Sequence, residues 1–162
     1  MNTAQNVQKF LNKKFKTLNL TSAKFSQDSG ISPAATSRLI NAVQINPDFY
    51  RILGIADYFN CAIDEVIGRK QKIYLYNSKT IFNKVHLAQV SMNIKTFIIN
   101  KLKQHNLTAY SLARLCGLGE NTISNFINNK NVKKILSTNT IISIANYFDC
   151  PIDEMIGRVT IK

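Results

Sequence analysis

An internal repeat limits the folds that are open to this chain. GIADYFNCAIDEVIGR at positions 54–69 and SIANYFDCPIDEMIGR at positions 143–158 are nearly the same sequence. Aligned at an offset of 89, segments 55–69 and 144–158 are identical at 11 of 15 positions. The similarity continues upstream at an offset of 87, where segment 20–41 aligns with segment 107–128. A period of about 90 residues is too long for a solenoid unit, so the repeat predicts two copies of one small domain.

The repeat divides the 162-residue chain into three parts. We predict a first copy at 1–70, a connecting segment at 71–90 and a second copy at 91–162. With 45% hydrophobic residues, each copy has enough apolar material for a compact helical core. The change of offset from 87 to 89 places a two-residue insertion in the second copy, between positions 128 and 143. We expect a loop there.

Apolar residues recur with helical spacing in both copies. Val7, Phe10, Leu11 and Phe15 form one stripe of an amphipathic helix over about 4–17, and the second copy repeats this helix over about 92–104. Short second helices are predicted to end at Ser29 and Cys116, third helices to span 33–41 and 120–128, and fourth helices to span 49–60 and 138–149. A short fifth helix follows in each copy.

Turn signals separate the second helix from the third. Thr21 and Thr108 can cap the second helices, because a hydroxyl oxygen accepts from the unbonded amides of the first turn. Gly30 and Gly117 follow these helices and adopt the left-handed backbone that ends many helices. Two helices joined by a tight turn that contains glycine are the layout of a helix-turn-helix unit.

The sequence carries a specific family resemblance. LTAYSLARLCGLGENTISNFINNK followed by IISIANYFDCPIDEMIGR resembles the phage-repressor-like (XRE/Cro-type) helix-turn-helix family. LTSAKFSQDSGISPAATSRLIN with ILGIADYFNCAIDEVIGR, in the first copy, resembles it more loosely. The resemblance implies an all-α fold of two tandem lambda-repressor-like five-helix domains joined by an apolar connection. It also implies double-stranded DNA as the partner.

The same resemblance assigns base contacts to the third helix. The matching positions are Pro33, Ala34 and Arg38 in the first copy, and Glu120, Asn121 and Asn125 in the second. Asn pairs with adenine, Arg with guanine and Glu with cytosine, while Ala can contact the thymine methyl group. Because the two sets differ, either each copy selects different bases or the first copy has drifted toward packing. A solvated helix face without DNA contact is the alternative for each residue.

Phosphate contacts are expected beside the third helices. The resemblance implies Thr21, Ser22 and Asn41 in the first copy, and Thr108, Asn128, Lys130, Lys133 and Lys134 in the second. Ser22 and Ala109 stand where the family often has a phosphate-binding glutamine. Amides at the start of the helix could still bind a phosphate there.

The charge of the chain favours a polyanionic partner. Lys and Arg number 21 against 9 acidic residues, which gives a net charge of +12, and both copies and the connecting segment are basic. A basic protein with no such partner is the alternative. We expect no membrane association, because no segment has the roughly 18 consecutive apolar residues of a membrane helix and the N-terminus has no hydrophobic signal core.

The sequence contains no constellation of catalytic or metal-binding residues. Asp64-Glu65 and Asp153-Glu154 fall in the first turn of the fifth helices, where the helix dipole favours negative charge. The three cysteines are widely spaced and are expected to be core residues in a reducing compartment. His86 and His105 have no ligand or triad spacing. We therefore predict no catalytic residue, no metal, no cofactor and no enzyme activity.

These observations favour a sequence-specific DNA-binding transcriptional regulator, a repressor. We expect it to be encoded by a bacterium or a phage, and to be cytoplasmic and associated with the nucleoid. The alternative is an antitoxin or adaptor that grips a protein. The connecting segment is a candidate surface for a homodimer or for such a partner. Its apolar residues, which should pack somewhere, are Ile73, Tyr74, Leu75, Tyr76, Ile81, Phe82, Val85 and Leu87.

Overall fold

A computed structural model describes residues 2–70, 80–131 and 133–159. The described residues form ten α-helices and no strands, which confirms the prediction of an all-α fold. The chain divides into two compact units, Met1–Phe82 and Asn83–Lys162. No helix in the described ranges is long and apolar enough to cross a membrane.

The first unit contains five helices in the predicted order. They are α1 (Thr3–Leu18), α2 (Ser22–Ser29), α3 (Pro33–Ile40), α4 (Phe49–Tyr58) and α5 (Ile63–Val66). On α1, Val7, Phe10 and Leu11 of the apolar stripe are buried, Val7 and Leu11 completely, and Phe15 is half-buried. Phe25 of α2 lies at the centre of an aromatic cluster, 5.3 Å from the ring of Phe15 and 5.7 Å from the ring of Phe59. The apolar face of α1 therefore packs as its spacing predicted.

The second unit repeats these five helices. They are α6 (Leu87–Gln104), α7 (Ala109–Leu115), α8 (Thr122–Asn128), α9 (Thr138–Tyr147) and α10 (Ile152–Met155). The prediction for α6 was wrong at its start, because the helix begins five residues before position 92. The Nδ1 atom of His86 caps this longer helix by accepting from the Ala88 amide at 3.4 Å, and Val90 and Ser91 are buried inside it. The end of the predicted connecting segment is thus helical.

The fifth helix of each unit is tied to the first by the same hydrogen bond. The Nδ2 atom of Asn6 donates to the carbonyl of Ile67 at 2.8 Å, and Asn93 donates to Ile156 at 2.8 Å. In sequence these contacts are 61 and 63 residues apart. Each therefore closes its own unit by linking the beginning of the unit to its end.

A buried ion pair lies beside each of these contacts. Asp64 accepts from Arg69 at 2.5 Å, and Asp153 pairs with Arg158 in the same way. Both aspartates are fully buried, and the arginine side chains are 7% and 1% exposed. The acidic residues are in the first turn of α5 and α10 as predicted. Their burial and arginine partners were not predicted, and Arg69 and Arg158 belong to the core rather than to a basic surface.

The connecting segment is described only in part. Ile73, Tyr74, Leu75 and Tyr76 lie outside the described residues. Ile81 is 75% exposed and Leu87 is 53% exposed. The prediction that the apolar residues of this segment pack against something therefore stays a prediction, and the described residues leave most of these two side chains exposed.

Candidate nucleic-acid interface

Helices α2 and α3 form the helix-turn-helix of the first unit. The Thr21 hydroxyl caps α2 by accepting from the Lys24 amide at 3.2 Å, and Ser32 caps α3 through the Ala35 amide at 3.3 Å. Between the helices, Gly30 has a φ of 73°. This left-handed backbone conformation is strained for a residue with a side chain, but glycine adopts it readily. The two helices are locked together by a buried hydrogen bond of 2.8 Å between the hydroxyls of Ser26 and Thr36.

The second helix of a helix-turn-helix is called its recognition helix, and in this unit it is α3. It exposes every predicted base-contacting residue of the first unit. Pro33, Ala34 and Arg38 are exposed. Ala35 and Leu39 lie on the opposite face and are buried. The helix is thus amphipathic, and its packing leaves the predicted contact residues at the surface.

In the second unit the recognition helix is α8, and its start differs from the prediction. The helix begins at Thr122, so Glu120 and Asn121 lie in the turn that precedes it. Asn121 occupies the N-cap position without a side-chain cap hydrogen bond. Asn125 lies one turn further along, and its backbone N–H donates to the backbone carbonyl of Asn121 at 2.9 Å. Glu120, Asn121 and Asn125 are all exposed.

Tyr110 is a residue of this surface that was not predicted. Its hydroxyl donates to Oε1 of Glu120 at 3.0 Å, which links the start of α7 to the turn before α8. The Arg114 guanidinium lies 5.9 Å from the centre of the same ring. Tyr110 is 46% exposed, and the first copy has Ala23 at the matching position. The sequence did contain a signal for this residue, because only the second copy has an aromatic residue at the start of its second helix.

The predicted phosphate-binding residues that lie at helix ends are exposed, and three of them form cap hydrogen bonds. The Thr108 hydroxyl accepts from the Ser111 amide at 3.0 Å, as Thr21 does in the first unit. Asn41 donates from Nδ2 to the Ser37 carbonyl at 2.8 Å and so closes α3. Ser22 and Asn128 are exposed at the start of α2 and the end of α8. The structure thus keeps each of these groups at the surface of its helix-turn-helix.

A lysine loop follows the recognition helix of the second unit. Lys130, Lys133 and Lys134 are exposed, and none forms an ion pair with a described carboxylate. The loop is anchored by the hydroxyl of Ser91, which donates to the Lys134 carbonyl at 2.7 Å. Lys95 of α6 holds the loop start by donating to the Asn129 carbonyl. The backbone is thereby fixed while the ammonium groups remain available.

The matching loop of the first unit has a different surface. Val43 is 69% exposed and Ile45 is 71% exposed, and this loop contains no lysine. Ala42 precedes them with a φ of 49°, in the left-handed region. The first unit therefore presents apolar side chains where the second presents three cations.

The cysteines and histidines have structural surroundings. Cys61 and Cys150 are buried, which confirms their prediction as core residues. Cys116 is half-buried, and this burial raises the pKa of its thiol to about 11. The ring of His105 lies 5.4 Å from that of Phe148. Among the described residues, no group of three or more His, Cys, Asp or Glu side chains could hold a metal ion.

Two units, each with a threonine-capped helix, a tight turn and a second helix with an exposed face, define a helix-turn-helix protein. The family model of the Cro/C1-type HTH DNA-binding domain matches residues 10–72 and again residues 98–160. The chain belongs to this family and contains two copies of its DNA-binding domain. This result confirms the resemblance drawn from the sequence and the tandem helix-turn-helix fold.

Two bacterial relatives each match a part of the chain that is about as long as one copy of the domain. An uncharacterized HTH-type transcriptional regulator of Rickettsia prowazekii (strain Madrid E) is 38% identical over 73 residues, which are 43% of this chain and 79% of that protein. A second such regulator, from Rickettsia conorii (strain Malish 7), is 37% identical over 73 residues, or 43% of this chain and 67% of that protein. No solved structure matches the chain significantly.

Proposed function

We propose that this protein is a sequence-specific double-stranded DNA-binding transcriptional regulator that represses by occupying its operator. The observation that carries the proposal is the pairing of an exposed recognition helix, α8, with the anchored lysine loop that follows it. An exposed helix fits the major groove, and flanking cations fix its register on the phosphate backbone. Both relatives bear the name of transcriptional regulators.

Base selection is assigned to both recognition helices. Arg38 of α3 offers a bidentate donor pair that suits guanine, and the amides of Asn121 and Asn125 suit adenine. Pro33, Ala34 and Glu120 complete the two contact surfaces. In the free protein Glu120 accepts from Tyr110, so contact with a cytosine amino group would share or replace that hydrogen bond.

Backbone affinity is assigned mainly to the second unit. Lys130, Lys133 and Lys134 supply charge there, and Asn128 and the capped start of α7 at Thr108 add neutral hydrogen-bond donors. In the first unit Thr21, Ser22 and Asn41 supply neutral donors only, beside the exposed apolar Val43 and Ile45. Electrostatic contacts dominate non-specific affinity, so the second unit would supply most of it and the first would add sequence selection.

The function needs no catalytic step, cofactor or metal, because occupancy alone blocks transcription. We place the protein at the nucleoid in the bacterial cytoplasm, where its operator would be. A homodimer through the connecting segment is also proposed, since Ile81 and Leu87 are exposed on the isolated chain.

The test starts with duplexes selected from a random DNA pool, whose binding is then measured as a function of salt. We expect the affinity to fall by orders of magnitude across moderate salt, because each phosphate contact releases counterions. The triple variant K130Q/K133Q/K134Q should reduce the slope of log K against log salt by up to about 2.7, since each phosphate that is no longer neutralised reduces it by roughly 0.9.

The matched control removes the same charge elsewhere. K9Q/K13Q/K70Q changes three exposed lysines of the first unit that are not among the proposed DNA contacts. Its salt slope should stay close to that of the parent protein. A flat salt profile of the parent protein, or equal losses in the two variants, would contradict the proposal.

A second candidate function is an antitoxin or adaptor that grips a protein. The exposed Val43 and Ile45 favour it, because apolar side chains beside a recognition helix suit protein contact better than phosphate contact. This function predicts a partner complex that resists salt, together with weak and unselective DNA binding. Selection from the random pool would then return no consensus.

A further inference from the structure

The first unit has a basic groove that the proposed function does not use. It lies between α1 and the end of α5, with a volume of about 540 Å³. Its rim carries Lys9, Lys13, Lys14 and Lys70, and Phe10 and Leu18 supply apolar surface within it. We call this feature the lysine groove.

The lysine groove and the recognition helix lie on different sides of α1. Gln8 marks the side of α1 that faces α3, because its Nε2 atom donates to the Ile40 carbonyl at 2.9 Å. Lys13 lies about 140° around the helix from Gln8, at roughly 100° per residue. The groove is therefore separate from the surface assigned to DNA.

Most of the charge in the lysine groove is uncompensated. Lys14 lies 3.6 Å from Glu65 and 5.2 Å from the centre of the Phe10 ring, so it has partners within the groove. In the described part of the chain, Lys9, Lys13 and Lys70 form no ion pair. Three exposed ammonium groups therefore surround a partly apolar depression in which Leu18 is 58% exposed.

The second copy shows that the fold does not require these lysines. Its framework is the same, and Lys101 matches Lys14 at the offset of 87. At the positions of Lys9, Lys13 and Lys70, however, the second copy has Thr96, Asn100 and Val159. The same helix pair thus forms in one chain with and without this cluster of charge, so the cluster is a property of the first copy alone.

We propose that the lysine groove binds an acidic amphipathic helix of a partner protein. Lys9 and Lys13 are four residues apart, or about 6 Å along α1, which matches carboxylates at i and i+4 on a partner helix. An apolar side chain of that helix would cover Leu18. The apolar part of the groove favours a peptide over a nucleic acid, whose backbone offers phosphates but no matching apolar side chain. This inference goes beyond DNA binding and does not depend on it.

The experiment uses the full chain and a fluorescein-labelled helical peptide of Glu, Leu and Ala, with glutamates four residues apart on one face and leucines on the other. Binding is followed by fluorescence anisotropy. We expect K9Q/K13Q/K70Q to weaken binding about tenfold, which corresponds to about 1.4 kcal/mol. The lysine-loop variant K130Q/K133Q/K134Q has the same reduction in charge and should stay within about twofold of the parent protein. A scrambled peptide of the same composition should bind weakly to all three.

A gain of binding provides the reverse test. Thr96, Asn100 and His105 are exposed, and His105 stands at the position of Leu18. T96K/N100K/H105L therefore places two of the missing lysines on α6 and the exposed leucine at its C-terminal end without disturbing the core. This variant should bind a second peptide, which titration at high protein concentration would detect as a stoichiometry above one. Circular dichroism establishes that each variant folds like the parent protein.

Three outcomes would overturn the proposal. Equal weakening in the two triple variants would show general charge attraction rather than a groove. A loss of duplex DNA affinity in K9Q/K13Q/K70Q would show that the groove is a nucleic-acid surface instead. Dimers of the parent protein that dissociate in K9Q/K13Q/K70Q, measured by sedimentation without peptide, would show that a second copy of this chain occupies it.

Discussion

At the scale of single residues, the structure separates side chains that hold the fold from those that remain available. Arg38 and Asn125 are exposed, and neither side chain has a hydrogen-bond partner among the described residues. Asp153 and Arg158, in contrast, are buried against each other. The first pair is therefore suited to binding, and a change there should leave stability nearly unaffected.

Removing Arg38 and Asn125 separately should relax base selection at two different positions. Each replacement by alanine should cost about 1–3 kcal/mol of discrimination, because one bidentate pair of hydrogen bonds to a base is removed. Selection of bound sequences with R38A and N125A measures the effect. Consensus sequences that lose the same base pair in both variants would show that the two helices do not divide the operator.

Breaking the buried ion pair of the second unit should destabilise it strongly. In R158M the Asp153 carboxylate stays buried without its cation, which should cost about 3–5 kcal/mol. Urea unfolding gives the free energy, with E154Q as the control because Glu154 is not fully buried and pairs with no described residue. The double variant D153L/R158M should lose less unfolding free energy than R158M, since no unpaired charge is left in the core. A larger loss in the double variant would argue against this account.

Cys116 should react slowly with alkylating reagents despite its partial exposure. Burial raises the pKa of its thiol to about 11 from an ordinary value of 9.0. At any pH below about 11, less of this thiol is therefore present as thiolate than of an ordinary cysteine. At pH 8 the thiolate fraction should be about 100-fold below that of a model thiol. The rate of iodoacetamide labelling, located by mass spectrometry, should rise toward pH 11. A rate that levels off near pH 9 would contradict the assignment.

At the scale of helices, the sequence predicted correctly those features that depend on residues close together in the chain. The apolar stripe of α1, the threonine caps of α2 and α7, and the glycine after α2 all have local signals, and these predictions were confirmed. The starts of α6 and α8 were misplaced. His86 is an uncommon cap, and Gly119-Glu120 looks like a helix start although the helix begins at Thr122.

Contacts across a turn or a helix end, which follow no regular helical spacing, could not be predicted from local patterns. The ion pairs Asp64–Arg69 and Asp153–Arg158 join residues five apart, which is not a helical spacing, across the end of a short helix. The contact between Tyr110 and Glu120 depends on the angle at which α7 meets the next turn. Exposure of the assigned DNA contacts agrees with the sequence argument, but their contact with bases and phosphates is still a prediction.

The glycines of the second unit offer a test of how the helices are joined. Gly117 and Gly157 both have positive φ, 67° and 75°. A Cβ atom at Gly117 would meet nothing within 4 Å, whereas one at Gly157 would lie 2.8 Å from Nδ2 of Asn93. G117A should therefore cost only backbone strain, about 1–2 kcal/mol. G157A should cost about 1–3 kcal/mol more, because it also disturbs the hydrogen bond from Asn93 to Ile156.

Urea unfolding of both variants and of N93A measures this difference. G157A in the N93A background should lose only the strain component, since the hydrogen bond is already absent. Equal costs for G117A and G157A in the parent chain would show that the bond between the first and fifth helices contributes little.

At the scale of the whole molecule, two related but unlike domains in one chain predict two unlike half-sites for each bound chain. A homodimer of single domains favours a palindrome, because its two recognition helices are identical. Here α3 and α8 share almost none of their exposed residues, so we expect two different half-sites with centres about 10 base pairs or a multiple of that apart. Sequences selected by the full chain report this arrangement. Two identical half-sites within the stretch that one chain covers would count against it, whether or not a homodimer repeats that stretch about a two-fold axis.

The hydrogen bond and the ion pair that close the first unit also bear on the order of folding. Every partner in them lies between Asn6 and Arg69, so none waits for residues of the second unit. The first unit can therefore complete its structure while the ribosome is still synthesising the rest of the chain. Because each arginine is only five residues from its aspartate, a nascent chain is also biased against exchanging these partners between its two similar halves.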